Sequence, residues 1–329
     1  MENEILDVKN IYVSLFQENK HLPILQDISF SLKKGKILGL CGESGSGKSM
    51  CAYSIMGLLP KGICLSSGSI FYRENELSIM SENKMRDVRG DRICMIFQDP
   101  MSALNPLLTV GYQLTEVCLL HKNKYPKTFN KKNRAVELLD ICGIKNPAQC
   151  MKRYPHQLSG GMRQRVMIAM ALMSNPEILI ADEPTTALDP IIQKQILDLI
   201  KNICNDFGTS VLFISHDMNV VSYLCDEICI IYGGRMCERG STFDIFKNPK
   251  HCYTKAFLET MPKFTKDNKK HLPAITGSVP LPGNIITGCP FAPRCKHARE
   301  ECCKVFPHYR LISRNHVKHI DHTVACYCI

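Results

Sequence analysis

A glycine-rich segment near the start of the chain contains the residue types that bind a nucleotide phosphate. Its sequence is Gly42-Glu43-Ser44-Gly45-Ser46-Gly47-Lys48-Ser49. Its glycines can adopt backbone angles that point successive N–H groups at one anion. Lys48 supplies positive charge for the β- and γ-phosphates, and the Ser49 hydroxyl is a ligand for Mg²⁺. The segment therefore predicts a phosphate-binding loop that takes a magnesium–nucleotide complex.

The residues on either side of this loop predict the elements that hold it. Residues 36–41 form an apolar run typical of a buried strand, and residues 49–56 carry an apolar stripe at helical spacing. A helix that begins directly after the loop adds the partial positive charge of its N-terminus. A glycine-rich turn without function is the alternative, but the complete pattern between a strand and a helix favours the phosphate loop.

Two acids follow a second apolar run far downstream. Residues 178–181 are Ile-Leu-Ile-Ala, and Asp182 and Glu183 come directly after them. A buried parallel strand of this kind delivers acids to the carboxyl edge of a sheet. Asp182 is placed to hold Mg²⁺ through water, and Glu183 to polarise the attacking water as general base. Many strands end in polar turns, so the two acids alone are weak evidence. Their position after the phosphate loop in the chain is what supports a nucleotide site.

A third candidate site lies between the first two, at Ser159-Gly160-Gly161, where residues 162–172 continue as a helical stretch. A serine cap followed by glycines leaves free backbone donors at a helix start, which predicts a second anion site. Taken alone, an ordinary helix cap would be the favoured interpretation.

With three further residues in the same order, the chain resembles the ATP-binding cassette (ABC) ATPases. Gln98 and His216 each follow an apolar, strand-like run, and Asp189 ends Ala187-Leu188-Asp189 shortly after the acidic pair. The resemblance covers roughly residues 5–260. It implies that Gln98 contacts Mg²⁺ and the attacking water, that His216 hydrogen-bonds the γ-phosphate, and that Asp189 belongs to the nucleotide site.

The resemblance implies an α/β fold of the phosphate-loop NTPase class. We expect a mainly parallel core sheet, an antiparallel β subdomain, a helical subdomain at about 107–150 and a small cysteine-rich C-terminal extension. The expected divisions are a nucleotide-binding domain at 1–258, a linker at 259–283 and the cysteine-rich domain at 284–329. The adenine base stacks on an aromatic side chain in this family, and the candidates are Tyr12 and Phe16. Phe16 is favoured, although a core role for either ring is an equal alternative.

Two segments resemble a narrower group, the ATPases of oligopeptide, dipeptide and nickel importers. They are residues 97–106 and 153–158. This resemblance implies an ATP-hydrolysing subunit that powers uptake of di- and oligopeptides, with nickel or a metal chelate as alternative cargo. The alternative of another class is a soluble non-transport ABC ATPase or an ATPase regulated by redox state or metal.

The same resemblance implies partners. The phosphate loop and Ser159-Gly160-Gly161 lie far apart on one cassette of this fold, so each nucleotide site needs a second ATPase subunit, a related chain or another copy. Two membrane permeases and an extracytoplasmic solute-binding protein would complete the assembly. The helical subdomain would contact the permeases, with Gln98 at its hinge. We expect a peripheral location on the cytoplasmic face of the cell membrane.

Composition agrees with such a subunit. The 329 residues are 45% hydrophobic, without an apolar run long enough for a membrane helix or a signal peptide at the start. The net charge of +10 is concentrated at the end, because residues 241–329 carry 14 Lys and Arg against 6 Asp and Glu. No nucleic-acid motif accompanies this charge, so we expect no nucleic-acid partner.

Cysteine is unusually frequent, with 18 residues in the chain. Four lie within apolar runs and are predicted to be small core residues: Cys41, Cys51, Cys94 and Cys229. The cysteines after residue 284 lie in a segment rich in loop residues, where a metal centre would supply stability that a small core cannot. Spacing alone leaves zinc and an iron–sulfur cluster open, with five histidines as substitute ligands: His297, His308, His316, His319 and His322.

The tail resembles the C-terminal region of the oligopeptide and dipeptide importer ATPases, which are associated with a [4Fe–4S] cluster. By position, the resemblance implies four ligands: Cys289, Cys295, Cys302 and Cys326. Cys303 and Cys328 are then additional thiols. Zinc, or thiols without a metal, is the alternative.

Overall fold

The computed structural model of the chain describes residues 4–18, 20–121, 124–126, 128–186, 188–261, 274–280, 287–315 and 320–329. The chain divides into two compact units. The first contains residues up to Leu32, Ile37–Ile79 and the chain from Phe213 onward, and the second contains Lys33–Lys36 and Met80–Leu212. Most of the expected linker at 259–283, together with Ala187, His316 and His319, lies outside the described residues.

The strands are β1 (Glu4–Gln17), β2 (Lys20–Lys33), β3 (Ile37–Cys41), β4 (Ile63–Tyr72), β5 (Asn75–Glu76), β6 (Ile93–Ile96), β7 (Ile178–Asp182), β8 (Ser210–Ser215), β9 (Glu227–Tyr232), β10 (Arg235–Ser241), β11 (Arg310–Asn315) and β12 (Ile320–Val324). The helices are α1 (Lys48–Met56), α2 (Glu82–Val88), α3 (Pro100–Ala103), α4 (Val110–Leu120), α5 (Lys131–Ile141), α6 (Pro147–Cys150), α7 (Gly160–Leu172), α8 (Pro190–Phe207), α9 (Met218–Leu224), α10 (Thr242–Lys247), α11 (Cys252–Glu259) and α12 (Glu300–Lys304).

The first unit contains the predicted antiparallel β layer, a sheet with the order β2-β1-β4-β5. It also contains the strands β11-β12-β10-β9-β3, in that order, of a second sheet. β3 and β9 are parallel and every residue of both strands is buried, as expected where both faces of a sheet are covered. This sheet presents the end of β3, and therefore the start of the phosphate loop, at its carboxyl edge.

The second unit contains the parallel pair β6 and β7, whose residues are again all buried. Helices α4, α5 and α7 pack against one another, which confirms the predicted helical subdomain. α4 and α5 begin at the capping side chains of Thr109 and Asn130, which accept hydrogen bonds from backbone N–H groups of the first turn. No helix in the described part of the chain combines the length and apolar character needed to cross a bilayer.

The cysteines predicted to be core residues are confirmed as such, since Cys41, Cys51, Cys94 and Cys229 are all buried. Each fills a small space inside an apolar strand or helix. Burial raises the pKa of Cys94 to about 11 and that of Cys229 to about 12, so both remain neutral thiols.

The end of the chain is built into the first unit through β12, which pairs antiparallel with β10. A buried carboxylate, Glu238 on β10, holds this junction. It accepts hydrogen bonds from the backbone N–H groups of Lys250 (2.7 Å) and His251 (2.9 Å), and His322 Nε2 on β12 lies 2.7 Å away. Burial alone would raise the pKa of Glu238, but these bonds and one from Thr254 lower it below its usual value.

Replacing Glu238 by Ala should therefore lower the free energy of unfolding by about 3 kcal/mol, because His322 and two backbone N–H groups lose their buried acceptor. Urea unfolding followed by circular dichroism measures the change. Glu137→Ala is the matched control, since the exposed Glu137 carboxylate pairs with Arg134 at 3.0 Å and its loss should change the free energy by less than about 1 kcal/mol. Equal effects of the two changes would contradict the role given to Glu238.

Candidate functional site

The phosphate loop connects β3 to α1, as the sequence predicts. Gly47 caps α1 with φ = 100°, a conformation that favours glycine. Gly42 lies so close to β9 that an added Cβ would come within 2.0 Å of the Ile231 carbonyl oxygen. Ser44 and Gly45 form the exposed tip of the loop, and Ser46 is buried beneath it. The two glycine positions explain why the loop can turn tightly and still leave its tip open.

Lys48 is only 4% exposed, and its ammonium group turns back over the loop. Its Nζ donates hydrogen bonds to the carbonyl oxygens of Gly42 and Glu43, both at 2.9 Å. A buried ammonium group needs such acceptors, because burial without them is costly. Ser49 follows as the second residue of α1 and is half-buried.

Glu43 is held from two sides by residues that the motif analysis did not assign to this loop. Its carboxylate pairs with Arg294 at 2.8 Å, and its backbone N–H donates to the Tyr253 hydroxyl at 2.9 Å. Arg294 Nη1 also donates to the Tyr232 hydroxyl at 2.9 Å. Burial raises the pKa of both tyrosines, which keeps their hydroxyls neutral. The cysteine-rich tail therefore makes direct contact with the phosphate loop.

The two acids lie together with Gln98 in the second unit. Asp182 ends β7 and is 1% exposed, and Glu183 is 9% exposed. Glu183 Oε2 accepts hydrogen bonds from Gln98 Nε2 at 3.0 Å and from Thr186 Oγ1 at 3.1 Å. Glu183 also has φ = 45°, which is uncommon for a residue with a side chain. Such strain occurs most often at functional sites, where neighbouring contacts hold the conformation.

Ser159, Gly160 and Gly161 form the start of α7. Ser159 is its N-cap, and the side-chain oxygen accepts from the Met162 N–H at 3.4 Å. Gly160 is exposed, and an added Cβ at that position would meet no atom within 4 Å. Asp189 has a related capping role at α8, where it accepts from the backbone N–H groups of the first turn. The geometry thus leaves an exposed helix start at the predicted second anion site.

The remaining nucleotide candidates belong to the first unit. His216 follows β8 and is exposed. Phe16 lies near the end of β1, is 51% exposed, and its ring centroid lies 5.2 Å from that of His21. Tyr12 is less exposed than Phe16. An exposed ring with one open side suits stacking on a base better than a core role.

Six of the described cysteines line one small cavity of about 10 Å³ at the end of the chain: Cys252, Cys289, Cys295, Cys302, Cys326 and Cys328. The set includes all four ligands that the resemblance implies. It also includes Cys252, which the sequence analysis did not single out, whereas Cys303 is exposed and does not line the cavity. His322 is committed to Glu238. The side chains with metal-ligating atoms around this cavity are therefore six thiols and the His251 imidazole.

Within this group the sulfurs of Cys252, Cys326 and Cys328 all lie within 4.8 Å of one another. The hydrogen bond from Cys252 lowers the pKa of Cys326 to about 5, and the same interaction raises the pKa of Cys252. A thiol array of this kind can bind a soft metal ion or an iron–sulfur cluster.

Comparison with protein families finds two matches along the chain. Residues 25–186 match the model described as ABC transporter. Residues 237–302 match the model described as oligopeptide/dipeptide transporter, C-terminal region. The second match covers Glu238, α11 and four of the cavity cysteines: Cys252, Cys289, Cys295 and Cys302.

Relatives of known name are similar over nearly the whole chain. The oligopeptide transport ATP-binding protein AppD of Bacillus subtilis (strain 168) is 46% identical, with 91% of this chain and 90% of that protein covered. The dipeptide transport ATP-binding protein DppD of the same organism is 43% identical, with 98% and 94% covered. The oligopeptide transport ATP-binding protein OppD of Escherichia coli (strain K12) is 41% identical, with 92% and 89% covered.

Solved structures give the same fold. The dimeric post-hydrolysis structure of the ATP-binding cassette MJ0796 with ADP and Pi is 27% identical, has a TM-score of 0.64, and covers 72% of this chain and 98% of that one. The cbiO1 subunit from Clostridium perfringens is 26% identical, with a TM-score of 0.63 and coverage of 75% and 92%. These matches confirm the predicted α/β phosphate-loop fold.

The contact between Arg294 and Glu43 can be tested directly. Arg294→Ala should raise the KM for ATP by about 5-fold, because a phosphate-loop residue loses a hydrogen-bonded ion pair worth ~1 kcal/mol. The turnover number should change little, since Arg294 contacts the loop through Glu43. Steady-state ATPase kinetics measure both constants. Arg310→Ala, at an exposed position on β11, is the control, and equal KM values in the two variants would contradict the assignment.

Proposed function

Because the chain belongs to the family of ABC transporter ATP-binding proteins with oligopeptide and dipeptide transport members, we propose that it is the ATP-hydrolysing subunit of an importer for di- and oligopeptides. The observation that carries this proposal is the Glu183 carboxylate. It is buried beside Asp182 and held by Gln98 in a strained conformation. Such a carboxylate suits a general base at a magnesium–nucleotide site.

In the first unit the phosphate loop would bind the β- and γ-phosphates. Lys48 would leave its two carbonyl acceptors for phosphate oxygens, a change that exchanges neutral acceptors for charged ones. Ser49 would coordinate Mg²⁺, and His216 would hydrogen-bond the γ-phosphate. Phe16 would stack on adenine, which its exposure supports.

In the second unit Asp182 would hold Mg²⁺ through water, and Glu183 would accept a proton from the attacking water. Gln98 donates to Glu183, and that hydrogen bond supports its role as the residue that orients both the base and the water. Because Gln98 lies on the chain between β6 and α3, movement of the helical subdomain would change this contact. That link would couple hydrolysis to transport.

A second ATPase subunit would complete each nucleotide site. The exposed helix start at Ser159, Gly160 and Gly161 would face the γ-phosphate bound by the partner, and Asp189 would lie at the same interface. The dimeric form of the related cassette supports this arrangement. ATP would then hold two cassettes together until hydrolysis separates them.

The membrane partners would be two permeases fed by a solute-binding protein, with this chain on the cytoplasmic face of the membrane. Exposed apolar side chains on the second unit support a protein contact there: Met101, Leu107 and Tyr112. The peptide-transport names of the relatives favour peptides over nickel or a metal chelate, and favour transport over a soluble non-transport role.

The tail would hold a metal centre on Cys289, Cys295, Cys302 and Cys326, with a [4Fe–4S] cluster as the first candidate and zinc as the alternative. The chemistry of the donor set fits, because the four thiols line one cavity. When bound, such a group would crosslink the tail to itself and, if it is a cluster, exchange an electron.

In the assembled transporter, Glu183→Gln should leave ATP affinity unchanged while lowering ATP turnover by about 10²- to 10⁴-fold, since the general base is lost. Uptake of labelled peptide into vesicles should fall in parallel. Lys48→Ala should instead weaken nucleotide binding itself. Glu137→Gln, on the exposed face of α5, serves as the control. Unchanged ATP hydrolysis in Glu183→Gln would contradict the assignment of Glu183 as general base. ATP hydrolysis without peptide uptake in the unaltered transporter would contradict the proposal that peptides are the cargo.

Anaerobic purification followed by iron, sulfide and zinc analysis tests the tail centre. A four-iron cluster predicts about four iron and four sulfide per chain, and Cys289→Ser should lower both. Stoichiometric zinc without iron would contradict the cluster and support the alternative. Cys303→Ser is the control, because Cys303 is exposed outside the cavity.

A further inference from the structure

The imidazole of His251 lies in the wall of the thiol cavity, the small cavity that six cysteines line at the end of the chain. The residue is the N-cap of α11 and is 1% exposed. Within the described part of the chain its Nε2 atom is buried without a hydrogen-bond partner. Buried polar atoms are nearly always paired, so an unpaired one in a cavity indicates a group that binds there.

The hydrogen bonds of the ring determine which of its nitrogens carries the proton. His251 Nδ1 accepts a hydrogen bond from the Tyr253 N–H at 3.0 Å. A ring nitrogen that accepts carries no proton, so in the neutral imidazole the proton is on Nε2. Burial lowers the pKa of His251 and outweighs the opposing effect of Cys326, in agreement with a neutral ring. Nε2 is therefore a hydrogen-bond donor.

A proton on Nε2 makes the ring a donor to the tail centre rather than one of its ligands. A histidine nitrogen binds a metal through its lone pair, so ligation by Nε2 would require the proton to move to Nδ1. The Nδ1–H group would then face the Tyr253 N–H, and the cap of α11 would be lost. The ring therefore suits a position outside the four cysteine ligands.

Contacts of both the backbone and the ring hold His251 in place. Its backbone N–H donates to Glu238 Oε2 at 2.9 Å, and its Nδ1 is bound to the first turn of α11. The ring centroid lies 6.4 Å from that of Phe291, which is buried and lines the same cavity. These contacts fix the direction of the Nε2–H group, so little ordering is needed when an acceptor binds.

Strand β10 brings His251 and Cys326 to the same place. The Glu238 side chain accepts the His251 N–H, and the carbonyl of the neighbouring Cys237 accepts the Ala325 N–H at 2.9 Å. Cys326 comes directly after Ala325 and lines the cavity together with His251. Cys326 also affects the pKa of His251, second only to burial. Among the four proposed ligands, Cys326 is therefore the acceptor that the fold favours for this donor.

We propose that His251 is a positioning residue of the tail centre, which donates a hydrogen bond from Nε2 to the Cys326 sulfur when that sulfur is a metal-bound thiolate. The proposal rests on the four-cysteine centre proposed above and leaves its four ligands in place. A donor beside the sulfurs stabilises the more negative, reduced form of a cluster and so raises its reduction potential. If the metal is zinc, the donor instead stabilises a thiolate ligand and strengthens zinc binding.

Two substitutions in the full-length chain separate the donor from the helix cap, because an amide side chain can replace one ring nitrogen at a time. His251→Asn keeps an acceptor for the Tyr253 N–H, since asparagine is a good N-cap, but has no donor at the position of Nε2. His251→Gln places an amide N–H group near the position of Nε2. His308→Asn, at an exposed histidine of the tail, is the control.

After anaerobic purification, all four chains should contain the same amounts of iron and sulfide, because no ligand has changed. In a redox titration monitored by electron paramagnetic resonance, His251→Asn should have a lower reduction potential. At a fixed applied potential its ratio of reduced to oxidised cluster should fall about 10-fold, which is about 59 mV for one electron. His251→Gln should recover most of this loss, and His308→Asn should match the unaltered chain.

If the purified chain contains zinc in place of iron, the same variants are titrated with zinc against a chromophoric chelator. His251→Asn should then bind zinc about 10-fold more weakly, and His251→Gln should restore the affinity. Melting temperatures show whether each variant folds. If His251→Asn does not fold, His251→Met replaces it and is compared with His251→Gln, because the two side chains are similar in length and only glutamine has a donor.

The outcomes distinguish the role of His251 from the tail centre itself. A reduction potential or zinc affinity that is unchanged in His251→Asn, or changed equally in His251→Gln, would overturn the role of His251 and leave the centre standing. Loss of the metal from His251→Asn would also overturn it, because the ring would then be a ligand. An unaltered chain that holds neither iron nor zinc would contradict the tail centre and, with it, the role given to His251.

Discussion

The buried carboxylate of Glu238 is the interaction on which the C-terminal half of the first unit depends. It receives two consecutive backbone N–H groups at the start of α11 and the ring of His322 on β12. A buried charge of this kind is tolerated only when its hydrogen-bonding capacity is filled. Glu238 therefore connects β10, the start of α11 and β12, and its hydrogen bonds fix the positions of α11 and β12.

This arrangement gives α11 two contacts at adjacent residues. Cys252 faces the thiol cavity, and Tyr253 accepts a hydrogen bond from the backbone of Glu43 in the phosphate loop. The tail repeats the pattern, because Arg294 pairs with Glu43 while the next residue, Cys295, lines the cavity. Packed interiors transmit displacement rather than absorb it. A change at the thiols thus has two short routes to Glu43, each made of one peptide bond followed by one hydrogen bond or ion pair.

Short sequence patterns were sufficient to predict those features of the molecule that depend on residues close together in the chain. The phosphate loop between strand and helix, the cap at Ser159 and the α/β fold class all follow from short stretches of sequence, and the resemblance supplied their order. Arg294 and Glu43 are 251 residues apart, and their contact leaves no trace in either motif. Cys252 was missed for the same reason, since spacing indicates which thiols are close in sequence and not which meet in space.

The contacts of Arg294 and Tyr253 with Glu43 also help to explain how the phosphate loop keeps its conformation without a nucleotide. Lys48 donates to the carbonyl oxygens of Gly42 and Glu43, so its charge draws the two ends of the loop inward. Arg294 and Tyr253 hold Glu43 through contacts that do not involve Lys48. In the proposed nucleotide complex, Lys48 would exchange two neutral acceptors for a charged phosphate oxygen, which is a stronger partner. Because Arg294 and Tyr253 hold Glu43 independently of Lys48, the loop backbone would keep its conformation when the lysine moves to a bound phosphate.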